Sequence, residues 1–323
     1  MTFNILSERG YMNWPSWNVV YEWEDVIAQK NGCKIFTFRE GIVGKFIRRG
    51  IREVNKHARK SLKYKMTDKS NARLLFVMNT AIYRDLPTKN IIPVFLDFPV
   101  STVDQIINAT SLLPAYFVTC KDIYHLLKEK SVENVYYMPL SISDKYYRES
   151  VPKKTIDVIQ FGRKNDMLHQ FMLQYCKKRP EVEYVYQTSD GSLTYFSTIR
   201  GNIGKFDSRD EYMDLIKSCK VSLVSSPGCD NGRSEEFGAI DFITPRFYES
   251  AAMYCHMLGR YTENEEAKDL QIRSICPNVR DYDEFNERMN QYLNDTKWDW
   301  SVQREFTKCN LTSVRADYIN IKL

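Results

Sequence analysis

The sequence lacks several features that would place it in a common class. None of its apolar runs approaches the roughly 18 residues that a membrane-spanning helix needs. The start of the chain has no basic stretch followed by an apolar core, as a secretory signal would. Its eight cysteines form no C-x-x-C pair and its four histidines are far apart, so a metal cluster is not predicted. We therefore expect a cytoplasmic protein with reduced thiols and no metal site.

Two further absences narrow the range of functions that the sequence supports. No G-x-G-x-x-G motif opens an α/β unit, which disfavours a dinucleotide-dependent oxidoreductase. The net charge is a modest +5 and no nucleic-acid-binding motif accompanies it, so nucleic acid is not predicted as a partner.

The pattern of apolar runs predicts two α/β domains. At 323 residues, with 43% hydrophobic and 27% charged residues, the chain is a globular protein long enough for two cores. Apolar runs of strand length, such as residues 73–78 and 91–96, alternate with helical segments, which predicts a parallel, doubly wound sheet. After a polar linker at residues 139–154, the same alternation starts again at residues 156–161.

The most informative stretch runs from Asp241 to Glu249 and reads DFITPRFYE. Thr244 is a good N-cap and Pro245 suits the first helical position, so a helix is predicted to start here. The first turn of a helix leaves N–H groups unpaired and forms an anion site. Arg246 lies in that turn, where a cation is favourable if an anion lies between it and the dipole. Two carboxylates beside such a site suit a ligand with a diphosphate and sugar hydroxyls; the alternative is an ordinary capped helix.

A second candidate segment, Gly162-Arg163-Lys164, follows the first strand after the linker. Ligands of open α/β sheets bind at the carboxyl ends of strands, so this turn is predicted to face the same crevice as the Thr244 helix. Two cations match the two phosphates of a diphosphate, although a solvated basic turn is the alternative. In the polar loop at residues 225–238, Arg233 is a further candidate contact to the sugar or its phosphate.

Together these segments resemble the donor-binding region of GT-B glycosyltransferases of the group-1 type, which includes the CgeB-like proteins. The shared pattern is two acids with seven residues between them, a small-residue helix, a glycine and a strand. Here the first acid, Asp241, is Asp rather than the usual Glu. The resemblance implies an α/β fold of the GT-B type, with two Rossmann-like, doubly wound domains facing a central cleft.

The same resemblance implies boundaries and chemistry. It predicts an acceptor domain at residues 1–145, a nucleotide-sugar donor domain at 146–300, and a terminal helix at 301–323 that returns to the first domain. The reaction would transfer a sugar from a nucleotide-sugar, a co-substrate rather than a cofactor, to a hydroxyl of a glycan or lipid-linked acceptor. The diphosphate would contact Gly162, Arg163 and Lys164, and Glu249 would bind the ribose. A non-catalytic sugar-nucleotide-binding or scaffold protein is the alternative.

Three acids are candidate catalytic groups. An inverting transferase needs a carboxylate that takes the proton from the acceptor hydroxyl. Asp97, at the end of a strand in the first unit, suits that role, and Glu8, after the first strand, is its rival. The alternative for Asp97 is a loop residue that caps the next helix. The acid pair that begins at Asp241 favours retention, for which no such base is required.

The segment Ile42–Lys65 combines helical apolar spacing with a strongly basic opposite face. Such a helix suits an anionic membrane surface, which would be useful if the acceptor is lipid-linked. It equally suits an ordinary helix that covers the first sheet. The predicted localisation is therefore cytoplasmic, with peripheral attachment to the inner face of the membrane as an open alternative.

Overall fold

The computed structural model describes residues 2–9, 17–37, 65–77, 90–96, 99–188, 194–230, 240–295 and 297–323, and the single positions 46 and 50. Two candidate site residues, Asp97 and Arg233, lie outside these ranges. So does almost all of the basic segment Ile42–Lys65.

The N-terminal unit is built on a six-stranded parallel sheet. Its strands are β1 (Phe3–Ser7), β2 (Ile35–Thr37), β3 (Ala72–Val77), β4 (Ile91–Phe95), β5 (Tyr116–Val118) and β6 (Val135–Tyr137), in the order β2-β1-β3-β4-β5-β6. Its described helices are α1 (Asn18–Asn31), α2 (Val103–Thr110) and α3 (Lys121–Glu129). Ile5, Leu74 and Val94 are fully buried, as expected for strands with both faces covered.

The C-terminal unit has a second six-stranded sheet. Its strands are β7 (Ile156–Gln160), β8 (Tyr184–Gln187), β9 (Tyr195–Ser197), β10 (Gly201–Gly204), β11 (Cys219–Ser225) and β12 (His256–Arg260), in the order β10-β9-β8-β7-β11-β12. Its helices are α4 (Asp166–Lys178), α5 (Arg209–Lys217), α6 (Pro245–Ala252), α7 (Glu265–Asp269), α8 (Ile272–Ile275) and α9 (Tyr282–Asn294). The fold class predicted from the sequence, α/β with two doubly wound sheets, is confirmed.

One edge of the second sheet departs from the parallel prediction. Strands β9 and β10 form an antiparallel hairpin, and β9 also pairs antiparallel with β8. Gly201 opens the return strand at a φ of +75°, a conformation that glycine adopts without strain. Three- and four-residue strands are too short to show a clear alternation of apolar and polar residues, so the sequence pattern did not predict them.

The last two helices, α10 (Ser301–Cys309) and α11 (Thr312–Lys322), pack on different units. On α10, Phe306 packs against Tyr248 of α6, with ring centroids 5.5 Å apart. Helix α11 packs along α1, where Lys30 Nζ lies 2.6 Å from Asp317 Oδ2. The chain after α10 therefore crosses from the C-terminal unit to the N-terminal unit.

The segment at residues 139–154 is not the solvated spacer that its polar composition suggests. Ile142 is fully buried, and its N–H donates to Asn310 O at 3.0 Å. The N–H of Thr312 donates to Ile142 O at 2.9 Å. The connection between the units is therefore held by the chain that leads into α11.

Two buried glutamates make the stability of the fold sensitive to pH. Glu24 on α1 is 1% exposed and accepts hydrogen bonds from Ser7 and Arg9, and burial raises its pKa to about 7. Glu266 on α7 is fully buried and accepts from the backbone N–H groups of Lys121 and Ile243. Burial raises the pKa of Glu266 to about 8. Both carboxyls therefore hold a proton in the folded protein at a pH where the unfolded chain has lost it.

We expect the free energy of unfolding to fall as the pH rises from about 5 to about 9, because over this range the folded state binds more protons than the unfolded state. Urea unfolding at a series of pH values measures the slope. The variant Glu266→Gln should flatten the curve near its upper end. The control, Glu265→Gln, changes the exposed neighbouring carboxyl, whose pKa Lys121 lowers, and should keep the parent slope. Coincident slopes for the parent and Glu266→Gln would contradict the assignment.

Candidate functional site

The C-terminal sheet has a topological switch point at β7. This strand pairs with β8 on one side and with β11 on the other, and the chain passes from β7 to β8 before it returns at β11. In open α/β sheets, ligands bind in the crevice outside the carboxyl ends of the strands at such a point. Gly162 and Arg163 lie in the turn just after β7, and Ser226 follows β11.

The turn after β7 approaches helix α6 closely. Gly162 has a φ of +67°, and a Cβ at this position would lie 3.2 Å from Arg246 Nε. Arg246 Nη1 donates to Arg163 O at 3.0 Å, while the Arg163 side chain is exposed. The positive φ favours glycine, and the Arg246 side chain would have to shift by a few tenths of an ångström to accept a Cβ here. The fold therefore brings three residues from two distant segments of the sequence to one point of the crevice.

Helix α6 starts at Pro245 with Thr244 as N-cap, as predicted. The Thr244 side chain makes no capping hydrogen bond, and the residue is only 7% exposed. Its Oγ1 has no hydrogen-bond partner among the residues that the structure describes. A buried hydroxyl without a partner costs about 1–3 kcal/mol. An anion that accepts from this hydroxyl at the helix start would remove that cost.

Asp241 organises the loop that leads into α6. Its carboxylate accepts from Ser226 Oγ, from Gly228 N at 2.9 Å, from Phe242 N at 3.0 Å and from Thr262 N at 3.2 Å. The residue is 3% exposed. These four bonds join the loop after β11 to the segment after β12. A catalytic role for Asp241 stays a prediction, and the described contacts give it a positional one.

Glu249 is buried deeper than the sequence indicated. It is 2% exposed, and its Oε1 lies 2.5 Å from Nη1 of Arg209, the first residue of α5. Burial works to lower the pKa of Arg209, but Glu249 and Glu22 outweigh it and raise this pKa. The sequence analysis did not identify Arg209. A bound ribose would contact a Glu249 carboxylate that is already paired with Arg209. The ribose contact therefore stays a prediction.

Two buried tyrosines lie near the arginines of this region, and sequence reasoning missed both. Tyr195 of β9 is 4% exposed, and burial raises its pKa. Arg209 Cζ lies over the Tyr212 ring, 5.4 Å from its centroid. Their only sequence signal is their place in apolar runs, which is also the signal of an ordinary core residue.

The remaining candidates lie apart from this group or outside the described residues. Lys164 Nζ lies 4.8 Å from the centroid of the Tyr186 ring, and burial lowers the pKa of Lys164. Its contact with a diphosphate stays a prediction. Glu8 follows β1 at the carboxyl edge of the first sheet and is 8% exposed, with its backbone carbonyl accepting from Tyr21 Oη at 3.2 Å. Asp97 and Arg233, as noted, are not among the described residues.

The described residues offer neither a metal site nor a membrane span. No group of three His, Cys, Asp or Glu side chains in them is arranged to hold a metal ion. No helix in them has the length and apolar character to cross a membrane.

Comparisons with known proteins find relatives by structure only. No protein-family model matches the sequence, and no curated protein matches it. AviGT4, a glycosyltransferase involved in avilamycin A biosynthesis, is similar in structure with a TM-score of 0.54 and 11% identity, covering 100% of this chain and 97% of AviGT4. TarM of S. aureus, solved with UDP among its ligands, has a TM-score of 0.54 and 9% identity, covering 77% of this chain but only 55% of TarM.

A third similar structure belongs to another class of enzyme. The UDP-GlcNAc 2-epimerase of Methanocaldococcus jannaschii, solved with UDP-GlcNAc and UDP, has a TM-score of 0.50 and 8% identity, covering 99% of each chain. Glycosyltransferases such as AviGT4 and these epimerases share one architecture. The two doubly wound sheets described above belong to it, and the chain has the GT-B fold.

Proposed function

We propose that this protein is a glycosyltransferase that moves a sugar from a nucleotide-sugar donor to a hydroxyl of a glycan or lipid-linked acceptor. The observation that carries the proposal is the group at the β7 switch point. It combines the Gly162 turn, the Arg246 guanidinium, the exposed Arg163 and the unpartnered Thr244 hydroxyl at the start of α6. Each of these features favours a phosphate-bearing ligand.

The chemistry of sugar transfer explains why cations would gather there. As the glycosidic bond breaks, the leaving nucleoside diphosphate gains negative charge. Arg246 and Arg163, together with the dipole of α6, would stabilise that charge more in the transition state than in the ground state. This arrangement would offset the charge without a metal ion. The acid pair Asp241 and Glu249 favours transfer with retention of the anomeric configuration.

Assays of binding and of products test the proposal. Calorimetric titration with UDP, GDP and dTDP identifies the base, and incubation of the matching nucleotide-sugars with glycan acceptors shows whether a sugar is transferred. A transferred sugar with release of the nucleoside diphosphate supports the proposal. A nucleotide-sugar of altered stereochemistry would assign an epimerase instead, and binding without turnover a non-catalytic protein. Binding of NAD alone would overturn the proposal.

Glu249→Gln is expected to weaken nucleoside diphosphate binding about tenfold or more. Glutamine keeps the size of the side chain but loses charge-assisted bonds to the ribose, worth roughly 1.5–3 kcal/mol. Calorimetry gives the Kd. The control is Glu287→Gln on the exposed face of α9, which should bind like the parent. An unchanged Kd for Glu249→Gln would remove this residue from the donor site.

Attachment to the membrane is a separate proposal, and it rests on the charge pattern of Ile42–Lys65 alone. Sedimentation with phosphatidylserine vesicles should show binding that weakens with added salt, because salt screens surface charges. Replacing Arg48, Arg49 and Arg52 together by Glu should abolish that binding. If this triple variant still binds vesicles, or if added salt does not weaken the binding of the parent, the segment has a structural role instead.

A further inference from the structure

Five polar side chains meet where the two units and their connection join. Glu22 belongs to α1, Lys145 and Tyr146 to the connection, Arg209 to α5 and Glu249 to α6. We call this group the interunit charge cluster. Arg209 Nε lies 3.3 Å from Glu22 Oε2 and its Nη1 lies 2.5 Å from Glu249 Oε1, while Lys145 Nζ lies 2.9 Å from Glu22 Oε1. The Tyr146 hydroxyl also donates to Glu22 Oε1.

Arg209 is the centre of the interunit charge cluster. It is 5% exposed, and its guanidinium lies between two aromatic rings, 5.9 Å from the centroid of Tyr146 and 5.4 Å from that of Tyr212. The planar guanidinium presents separate N–H groups to two carboxylates, which a lysine ammonium at the same place would not do in fixed geometry. One carboxylate comes from each unit, and both are buried.

Stability alone does not account for this arrangement. The cost of taking charges out of water offsets most of the attraction within a buried ion pair, so apolar side chains of similar volume stabilise such a place as well or better. Arg209 holds both Glu249, a predicted donor-site acid, and Glu22, an acid of the other unit. This arrangement is explained if the orientation of Glu249 matters for ligand binding.

We propose that Arg209 is a positioning residue of the donor site. It orients the Glu249 carboxylate and, through Glu22, makes that orientation depend on the contact between the N-terminal and C-terminal units. This inference rests on the proposed function, because it assigns Glu249 to a ligand. Affinity for the nucleotide would then depend on a residue of α1, which belongs to the unit opposite the donor sheet.

Glu22 and Glu249 share the guanidinium of Arg209, and this sharing has a consequence for nucleotide binding. With Glu22 neutral, Arg209 loses its anchor in the N-terminal unit and can turn with Glu249, so the acid no longer has a fixed direction. With lysine at position 209, the charge remains but the two-sided hold is lost. Either change should matter only while the carboxylate of Glu249 is present to be positioned.

The experiment is a set of double-mutant cycles on the Kd for UDP, GDP and dTDP, measured by calorimetry. The variants are Glu22→Gln, Arg209→Lys and Glu249→Gln, alone and with each of the first two combined with the third. The matched control is Glu24→Gln, which replaces another buried glutamate of α1. Glu24 pairs with Arg9 at 3.1 Å, inside the N-terminal unit. Thermal unfolding of every variant shows that the folded protein is being compared.

We expect Glu22→Gln and Arg209→Lys each to weaken the binding of the nucleoside diphosphate about fivefold or more, and to have less than about twofold effect once Glu249 is Gln. Glu24→Gln should bind within about twofold of the parent, whatever its effect on thermal stability. A purely structural role of Arg209 would not produce this non-additivity.

Three outcomes overturn the inference, and they distinguish its failure from that of the proposed function. If the parent binds a nucleoside diphosphate but Glu22→Gln and Arg209→Lys bind it equally well, the interunit charge cluster is structural and the proposed function stands. The same holds if their effects simply add to that of Glu249→Gln. If the parent binds none of UDP, GDP and dTDP, the proposed function fails and this inference fails with it.

Discussion

Arg246→Ala is expected to lower the rate of sugar transfer by about 10²–10³, the scale seen when one preorganised donor is removed from an active site. Arg246 lies in the first turn of α6 and its guanidinium is held against the Gly162 turn, with Nη1 donating to Arg163 O. A cation held in place in this way requires little rearrangement when the leaving diphosphate gains charge. Arg163→Ala should have an effect of the same order.

Turnover measurements with saturating donor separate this prediction from a loss of binding. Arg246→Lys should recover only part of the rate, because lysine keeps the charge but loses the planar fork. The control is Arg179→Ala, at the end of α4, where the side chain pairs with Glu181; it should turn over at the parent rate. Parent rates for both Arg246→Ala and Arg163→Ala would show that the phosphate site has been placed wrongly.

Arg209→Met is expected to destabilise the fold by about 3–5 kcal/mol, because removing one partner of a buried ionic group leaves uncompensated charge. Glu22 and Glu249 would then face each other at 8% and 2% exposure, with Lys145 as the cation still paired to Glu22. Methionine fills most of the volume, so the loss is electrostatic rather than a cavity effect.

Urea unfolding of the parent and the variant measures this loss. Lys217→Met provides the contrast, since it breaks the ion pair with Asp214 between side chains that are 32% and 66% exposed and should cost less than about 1 kcal/mol. Replacing Glu22, Arg209 and Glu249 together by apolar residues should restore much of the stability. A loss below about 1 kcal/mol for Arg209→Met would mean that water reaches the interunit charge cluster.

Local signals in the sequence mark where helices of the C-terminal unit begin. Helix α4 spans Asp166–Lys178 because Asn165 caps it by accepting from Leu168 N and its apolar residues recur at helical spacing, both of which can be read from the sequence. The start of α6 at Pro245 was predicted for the same kind of reason. The placement of Gly162, Arg163 and Arg246 together followed from the rule that ligand-binding turns share one edge of a sheet.

The partners of buried charges could not be predicted in this way. Arg209 and Glu22 are 187 positions apart, and no spacing rule connects them. The same sequence pattern around Glu249 suits an exposed acid and one buried against a guanidinium, and only the packing of α5 against α6 decides between them. The antiparallel hairpin of β9 and β10 was missed because its strands have only three and four residues and show no clear alternation of apolar and polar residues.

The packing of α11 on α1 has a consequence for how the protein is made. Lys30 and Asp317, which join the two helices, are 287 positions apart in the chain. At the usual pace of synthesis, about 5–20 residues per second, the ribosome delivers the second helix on the order of tens of seconds after the first. During that interval, the face of the nascent N-terminal unit that Ala316 and Ile319 later cover is exposed. A chaperone that binds nascent chains therefore has a defined period in which it can act on helix α1.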